Sequence, residues 1–263
     1  MIPVIPYVIR SLSRTENEFN YLEFEAAVQQ EPSVSAKLIG YANSPAFRTH
    51  KPIVSIHDAI IRLGLTHTKT VVLSLLVRSK LDISKCSSFK MDKYWYDTMI
   101  RARYAKCLAL ELNNKSVDIE QIYCLALVSG IGILLLASQC PEVVSEIIAN
   151  DTSHLSITER IRNQFHGKSQ YYYGAELLSH WGLPPIYKET IKFIDIPSYK
   201  GEYRTELSLL QAARKLSNIH NKLDQQAVMN EHKLSLDSNN ILNITKCVNQ
   251  ELPNIRSLST LLK

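Results

Sequence analysis

Turn-forming residues are scarce in this 263-residue sequence: 8 glycines and 10 prolines. An all-β sandwich needs more of them at its many tight turns, so helices are favoured. Long apolar runs are also missing. The longest, Cys124 to Ala137, has 14 residues and contains Ser129, against the ~20 needed to span a bilayer. The start, Met1 to Tyr7, is apolar but lacks a basic flank and is broken by Pro3 and Pro6, which does not suit a signal peptide. The five cysteines (86, 107, 124, 140 and 247) are odd in number and form no CxxC. Neither a disulfide framework nor a cysteine zinc site is indicated, and a reducing cytoplasm is the expected compartment. Cys107 and Cys124 lie on apolar patterns and read as small buried hydrophobes. Charge of one sign is lacking too: 30 Lys+Arg against 25 Asp+Glu give +5. The densest basic cluster, Arg101, Arg103 and Lys106, reads as a solvated helix face. A nucleic-acid reader carries a concentrated basic stripe, so neither nucleic acid nor membrane is expected as partner.

What is present is helical periodicity almost throughout. Leu22, Phe24, Ala27 and Val28 space a first helix over 21–30. Ser33 opens a second, which Pro45 ends before a loop from Phe47 to Pro52. Ser55-Ile-His-Asp58 has the shape of a capping box and starts a helix that stops at Gly64, with Thr66 or Thr68 capping the next. The polar stretch from Ser84 to Lys90 marks an internal boundary. Helices are then expected over 92–112, over 119–140 as one element apolar on nearly all sides, from Pro141 to Ala149, and over 156–165 and 171–181. Further helices are expected over 186–194, over 206–223, and around Ile241, Ile244, Val248 and Leu252.

Local chemistry is sparse. His57-Asp58 falls in a first helical turn, where Asp58 suits the helix dipole. No HxH, HxxxH, HExxH, GxGxxG, GxxxxGK[ST] or GxSxG occurs, so no local metal pair or phosphate loop is present. Gly130-Ile-Gly132 reads as close helix packing, Tyr171-Tyr172-Tyr173 as part core and part surface, and Trp95 and Trp181 as packing anchors.

Four segments, in order, resemble the HDOD family, the HD-related output domains of bacterial signalling. Glu31-Pro-Ser-Val-Ser-Ala-Lys-Leu-Ile-Gly-Tyr-Ala-Asn-Ser-Pro45 is similar to that family's DP-x-L-x-x-(K/R)-L-L-x-x-A-N-S run. Val54-Ser-Ile-His-Asp-Ala-Ile-Ile-Arg-Leu-Gly64 is similar to its S-(I/L)-x-x-A-I-x-x-L-G run. Trp95 to Ala102 resembles W-x-x-S-x-x-x-A, and Gly174-Ala-Glu-Leu-Leu-Ser-His-Trp-Gly-Leu-Pro184 resembles G-A-x-L-L-x-x-W-x-L-P. Coverage runs from about residue 3 to 220. The resemblance implies an all-α fold: an N-terminal helical part over 1–90, an HD-phosphohydrolase-like bundle over 91–220, and a C-terminal helical extension over 221–263 packed on the bundle.

The ancestral HD site is where the sequence departs. Leu125 to Leu134 resembles the (A/G)-L-L-H-D-I-G-K-L run, with Ser129 and Gly130 at the His-Asp pair and Ile133 at the lysine. Asp97, Gln170, Ile194-Asp195 before Pro197, and Arg214 stand at the remaining ligand positions. A binuclear phosphohydrolase site needs converging imidazoles and carboxylates. The resemblance therefore implies no catalytic residues, no metal and no cofactor. It leaves vestigial positions Asp97, Ser129, Gly130, Gln170 and Arg214 clustered in the bundle, Asp97 pairing with Arg214, and a possible ligand pocket there. The expected function is non-catalytic, regulatory and cytoplasmic, through a protein partner such as a response regulator or a cyclic-dinucleotide enzyme. The Asn43-Ser44 turn and the cleft between the two helical parts are candidate interaction surfaces. Alternatives are a divergent metal-dependent phosphohydrolase and a nucleotide or anion sensor using the vestigial site.

Overall fold

The computed structural model describes Val8, residues 20–44, Phe47, and residues 51–150, 154–196, 199–218 and 222–261. Pro45, residues 48–50 of the expected loop, and Pro197 lie outside these. All regular structure among the described residues is helical. Helix α1 (Tyr21–Gln29) is capped by Asn20, whose side chain accepts from the Leu22 and Glu23 amides. Helix α2 (Pro32–Ala42) starts on proline, whose missing N–H costs nothing in a first turn. Ser55 caps α3 (Ile56–Lys80), which bends where Gly64 takes φ 74° and ψ 161°, left-handed backbone that glycine adopts freely. The expected break at Gly64 is thus present, but no threonine caps the second half. The Thr68 and Thr70 hydroxyls donate back to the carbonyls of Gly64 and Thr66.

Helix α4 (Met91–Leu112) ends at Asn113 in the left-handed region. Two helices, α5 (Ile119–Val128) and α6 (Ile131–Gln139), replace the single element expected over 119–140. The Ser129 hydroxyl donates to the Ala126 carbonyl and ends α5, and Gly130, a poor helix former, gives the chain room to turn. There follow α7 (Pro141–Ala149), α8 (Ile157–Gln164) behind a Ser156/Glu159 capping box, α9 (Gln170–His180) and α10 (Pro185–Lys192). Helix α11 (Arg204–Leu216) stops short of the expected residue 223, because the Ser217 and Asn218 side chains take the Arg214 carbonyl. Helices α12 (Lys222–Glu231) and α13 (Ser238–Leu261) complete the chain.

Helix α4 is the hub of the packing. It lies against α5, α11 and α13, while α6 packs on α9, α9 on α10, and α2 on α3. One apolar core runs from Phe24 and Leu38 through Trp95 and Trp181 to Leu258, and a smaller one gathers Cys86, Leu136, Val144 and Ile161. Both tryptophans are buried, as their sequence context implied. Ile56–Lys80 and Ile119–Gln139 are long and apolar enough to cross a membrane by length and composition, yet 67% and 78% of their apolar windows are buried inside the fold, as in core helices.

The cysteine reading needs correcting. Cys107 on α4 and Cys247 on α13 form a disulfide across 140 residues of sequence, while Cys86, Cys124 and Cys140 are free. No spacing rule signals a pair so distant, and the bond removes the ground for inferring a reducing compartment.

Candidate functional site

Three residues one turn apart line one face of α4: Tyr94, Asp97 and Arg101. Tyr94 and Arg101 meet the α5–α6 corner. Arg101 Nη1 donates to the Ser129 hydroxyl oxygen at 3.3 Å. The Gly130 Cα faces the Tyr94 ring and the Arg101 guanidinium so closely that a Cβ would come within 3.3 Å and 3.6 Å of them. Asp97 is exposed, and partial desolvation raises its pKa against the opposing pull of Lys93 and Arg101. Burial likewise pushes the Tyr94 hydroxyl well above its usual range, and Tyr171 adds to the shift.

Beyond Tyr171 lies Arg214, whose guanidinium carbon sits 5.1 Å from the Tyr171 ring centroid and whose Nη1 donates to the Ile194 carbonyl at 3.5 Å. Arg214 therefore rests on an aromatic face and makes no ion pair with Asp97, whose neighbouring charges are Lys93 and Arg101. The expected Asp97–Arg214 pair is replaced by two separate arrangements, Asp97 beside Lys93 and Arg101, and Arg214 on Tyr171. Gln170 opens α9; its Nε2 donates to the Thr158 hydroxyl at 2.8 Å. A Cβ on Gly132 would overlap its backbone carbonyl and lie 2.6 Å from the Gly174 amide nitrogen, so α6 and α9 touch backbone to backbone. Asp195 accepts from Arg162 at 2.7 Å.

The solvated-face reading of the basic cluster also needs correcting. Besides Arg101, Arg103 donates to the Cys247 carbonyl and lies 3.7 Å from Glu251. Lys106 pairs with Glu120 and donates to Thr66. Arg101 and Lys106 tie α4 to the two ends of α5, Lys106 also reaches α3, and Arg103 ties α4 to α13. At the other candidate site, Asn43 donates to the Ile39 and Ile53 carbonyls and accepts from the Ile53 amide at 2.8 Å. Its amide thus closes a loop backbone, and the Ser44 hydroxyl beside it is buried without a hydrogen-bond partner.

The HDOD domain pattern matches residues 2–197. The chain belongs to the HDOD domain family. Among solved structures it resembles a candidate phosphohydrolase of Shewanella amazonensis SB2B (TM-score 0.75, 20% identity, covering 99% of this chain and 95% of that one). It also resembles an HDOD domain protein of unknown function from Geobacter sulfurreducens (0.72, 18%, 99% and 92%). A third likeness is to a candidate signal transduction protein of Marinobacter aquaeolei VT8 (0.77, 20%, 99% and 59%). At these identities the likeness establishes the fold. No curated protein matches the sequence.

In this HDOD protein the donor set at the α4/α5–α6 corner does not fit a binuclear metal centre. Asp97 is the one carboxylate there; the rest are a hydroxyl, a glycine, a tyrosine and a guanidinium whose positive charge is fixed. Among the described residues no three His, Cys, Asp or Glu side chains gather as a cation would require. Reading the sequence missed Arg101 and Tyr94 as site residues. The signal was there: they stand four after and three before Asp97, on the same helical face.

Proposed function

We propose that this HDOD protein is a non-catalytic signalling component that acts by binding a protein partner, and that its former metal site now serves as a polar clamp. The observation that carries this reading is the Arg101 guanidinium against Ser129 and Gly130. A fixed cation there repels the divalent ions a hydrolase of this fold would need. The clamp joins α4 to the α5–α6 corner as a bound metal otherwise would. Exposed Leu22 and Ile61 on the N-terminal helices, and Val54 just before α3, supply apolar surface for a partner. A signalling role agrees with the name of the Marinobacter neighbour.

The test is turnover and metal content. Purified protein, dialysed and then assayed with manganese against cyclic dinucleotides and phosphomonoesters, is expected to match a protein-free blank and to hold no stoichiometric metal. Arg101→Ala is expected to stay inactive and to melt at a lower temperature. Turnover that disappears in Asp97→Ala would establish the divergent hydrolase instead.

A further inference from the structure

We infer that the cleft beside the old metal position, between α8, α10, α11 and α12, binds a nucleoside phosphate. This goes beyond the partner-binding reading and does not depend on it. The cleft has two lobes of about 300 and 360 Å³ that share Gln211, Glu231 and His232, together within the usual range for small-molecule sites.

The first lobe has the chemistry of a phosphate site. Arg162, Arg214 and Lys215 line it, and its three carboxylates are already engaged. Glu159 accepts from Ser156, Asp195 from Arg162, and Glu231 from Lys215. Arg214 has no carboxylate partner among the described residues and is held in place by the Tyr171 ring, so its guanidinium is oriented before any ligand arrives. That orientation suits an arginine meant to grip an oxyanion.

The floor is unsatisfied. The Asp195 side chain is 5% exposed; among the described residues neither its Oδ1 nor the buried His232 Nε2 has a hydrogen-bond partner. Burial, followed by Lys215, lowers the His232 pKa, which leaves a neutral ring at pH 7. Leaving a buried polar atom unpaired costs about 1–3 kcal/mol, so two such atoms below an open cleft call for a polar ligand: Asp195 Oδ1 needs a hydroxyl or amino donor, and His232 Nε2 takes a donor or an acceptor according to its tautomer. Small side-chain rotations would bring them to it. A ribose or a base supplies such donors.

The second lobe fits that remainder. Tyr199 and Leu207 give it an apolar wall, while Lys200, Arg204 and Lys233 at its edge have no carboxylate partner among the described residues. We place the phosphate against Arg214 and Lys215, and the sugar and base toward Tyr199. The ligand is bound and released unchanged.

Isothermal titration calorimetry on the full chain tests this with AMP, GMP and UMP, and with adenosine and inorganic phosphate as controls. At least one nucleotide is expected to bind saturably, with adenosine and phosphate each about tenfold weaker or more, a difference worth ~1.4 kcal/mol. Arg214→Met keeps the stacking volume but not the charge, and is expected to weaken the nucleotide about tenfold. Lys215→Met, at an exposed position, is expected to act in the same direction if Arg214→Met does not fold. Absence of saturable binding by all three nucleotides overturns the inference. So does phosphate or adenosine binding as tightly as the nucleotide, or nucleotide binding unchanged in the folded variants. None of these results bears on turnover, so the partner-binding reading stands or falls separately.

Discussion

Single atoms decide much at the residue scale. Gly132 has no room for a Cβ because the Gln170 carbonyl and the Gly174 amide occupy the space. Backbone cannot rotate away as a side-chain tip can, so Gly132→Ala must push α6 off α9. The expected cost is about 3 kcal/mol or more, read as a drop in the urea midpoint, while Gly40→Ala, where a Cβ meets nothing within 4 Å, serves as the mild control. Trp181 is fully buried where α9 ends, and Trp181→Ala is expected to cost about 3–5 kcal/mol. Asn43 bonds the Ile53 backbone in both directions. Asn43→Ala strands an amide and a carbonyl and is expected to cost about 1–3 kcal/mol, measured the same way. Should Asn43→Ala instead lower partner binding at unchanged stability, the turn is an interaction surface after all.

Helix α13 illustrates what an element gains from its neighbours. Its apolar stripe of Ile241, Ile244, Val248 and Ile255 is buried, mostly against α4. The Cys107–Cys247 bond and the contacts of Arg103 and His67 with Glu251 pin the same face. Thiol titration checks the bond directly. The unfolded, unreduced chain is expected to show three reactive thiols, from Cys86, Cys124 and Cys140, and the reduced chain all five. Five thiols before reduction would remove the bond and favour a reducing compartment. If it is present, Cys247→Ser is expected to destabilise the fold by about 2–5 kcal/mol, because a long loop loses its closure.

For the whole molecule, pH is the most direct global lever. Burial is the largest influence on both His67 and His232 and lowers both below 6.5. Around His67, Glu251 opposes the shift and Arg103 reinforces it. Because the unfolded chain binds protons that the folded chain refuses, stability is full above about pH 6.5 and falls as pH drops below it. The exposed carboxylates Glu159 and Glu231, held below 4.5 by Ser156 and Lys215, act only at still lower pH. Urea unfolding at neutral pH and at about pH 5.5 is expected to give a lower midpoint in acid, with a smaller difference in the double variant His67→Gln, His232→Gln. An equal difference in that variant would assign the acid sensitivity to other groups.

Helical periodicity, caps and punctuation are local, and these were legible in the residues themselves. Ser55 and Ser156 cap helices, Gly64 breaks one, and Trp95 and Trp181 go to the core, each from its immediate sequence neighbours. The order of four short motifs was enough for the family. The partners of the charged groups were not legible. Arg101 finds Ser129 and Gly130, Arg214 finds Tyr171, and Cys107 finds Cys247 only because α4, α5, α9, α11 and α13 come together. A helical pattern tells which face a side chain is on, and the identity of what faces it comes from packing of elements far apart in the chain. Thus the amino-acid sequence alone determined an all-helical HDOD fold. The tertiary structure decided that Arg101 meets Ser129 and Gly130 and that Arg214 rests on Tyr171, because only packing sets distances between residues that the chain keeps tens of positions apart.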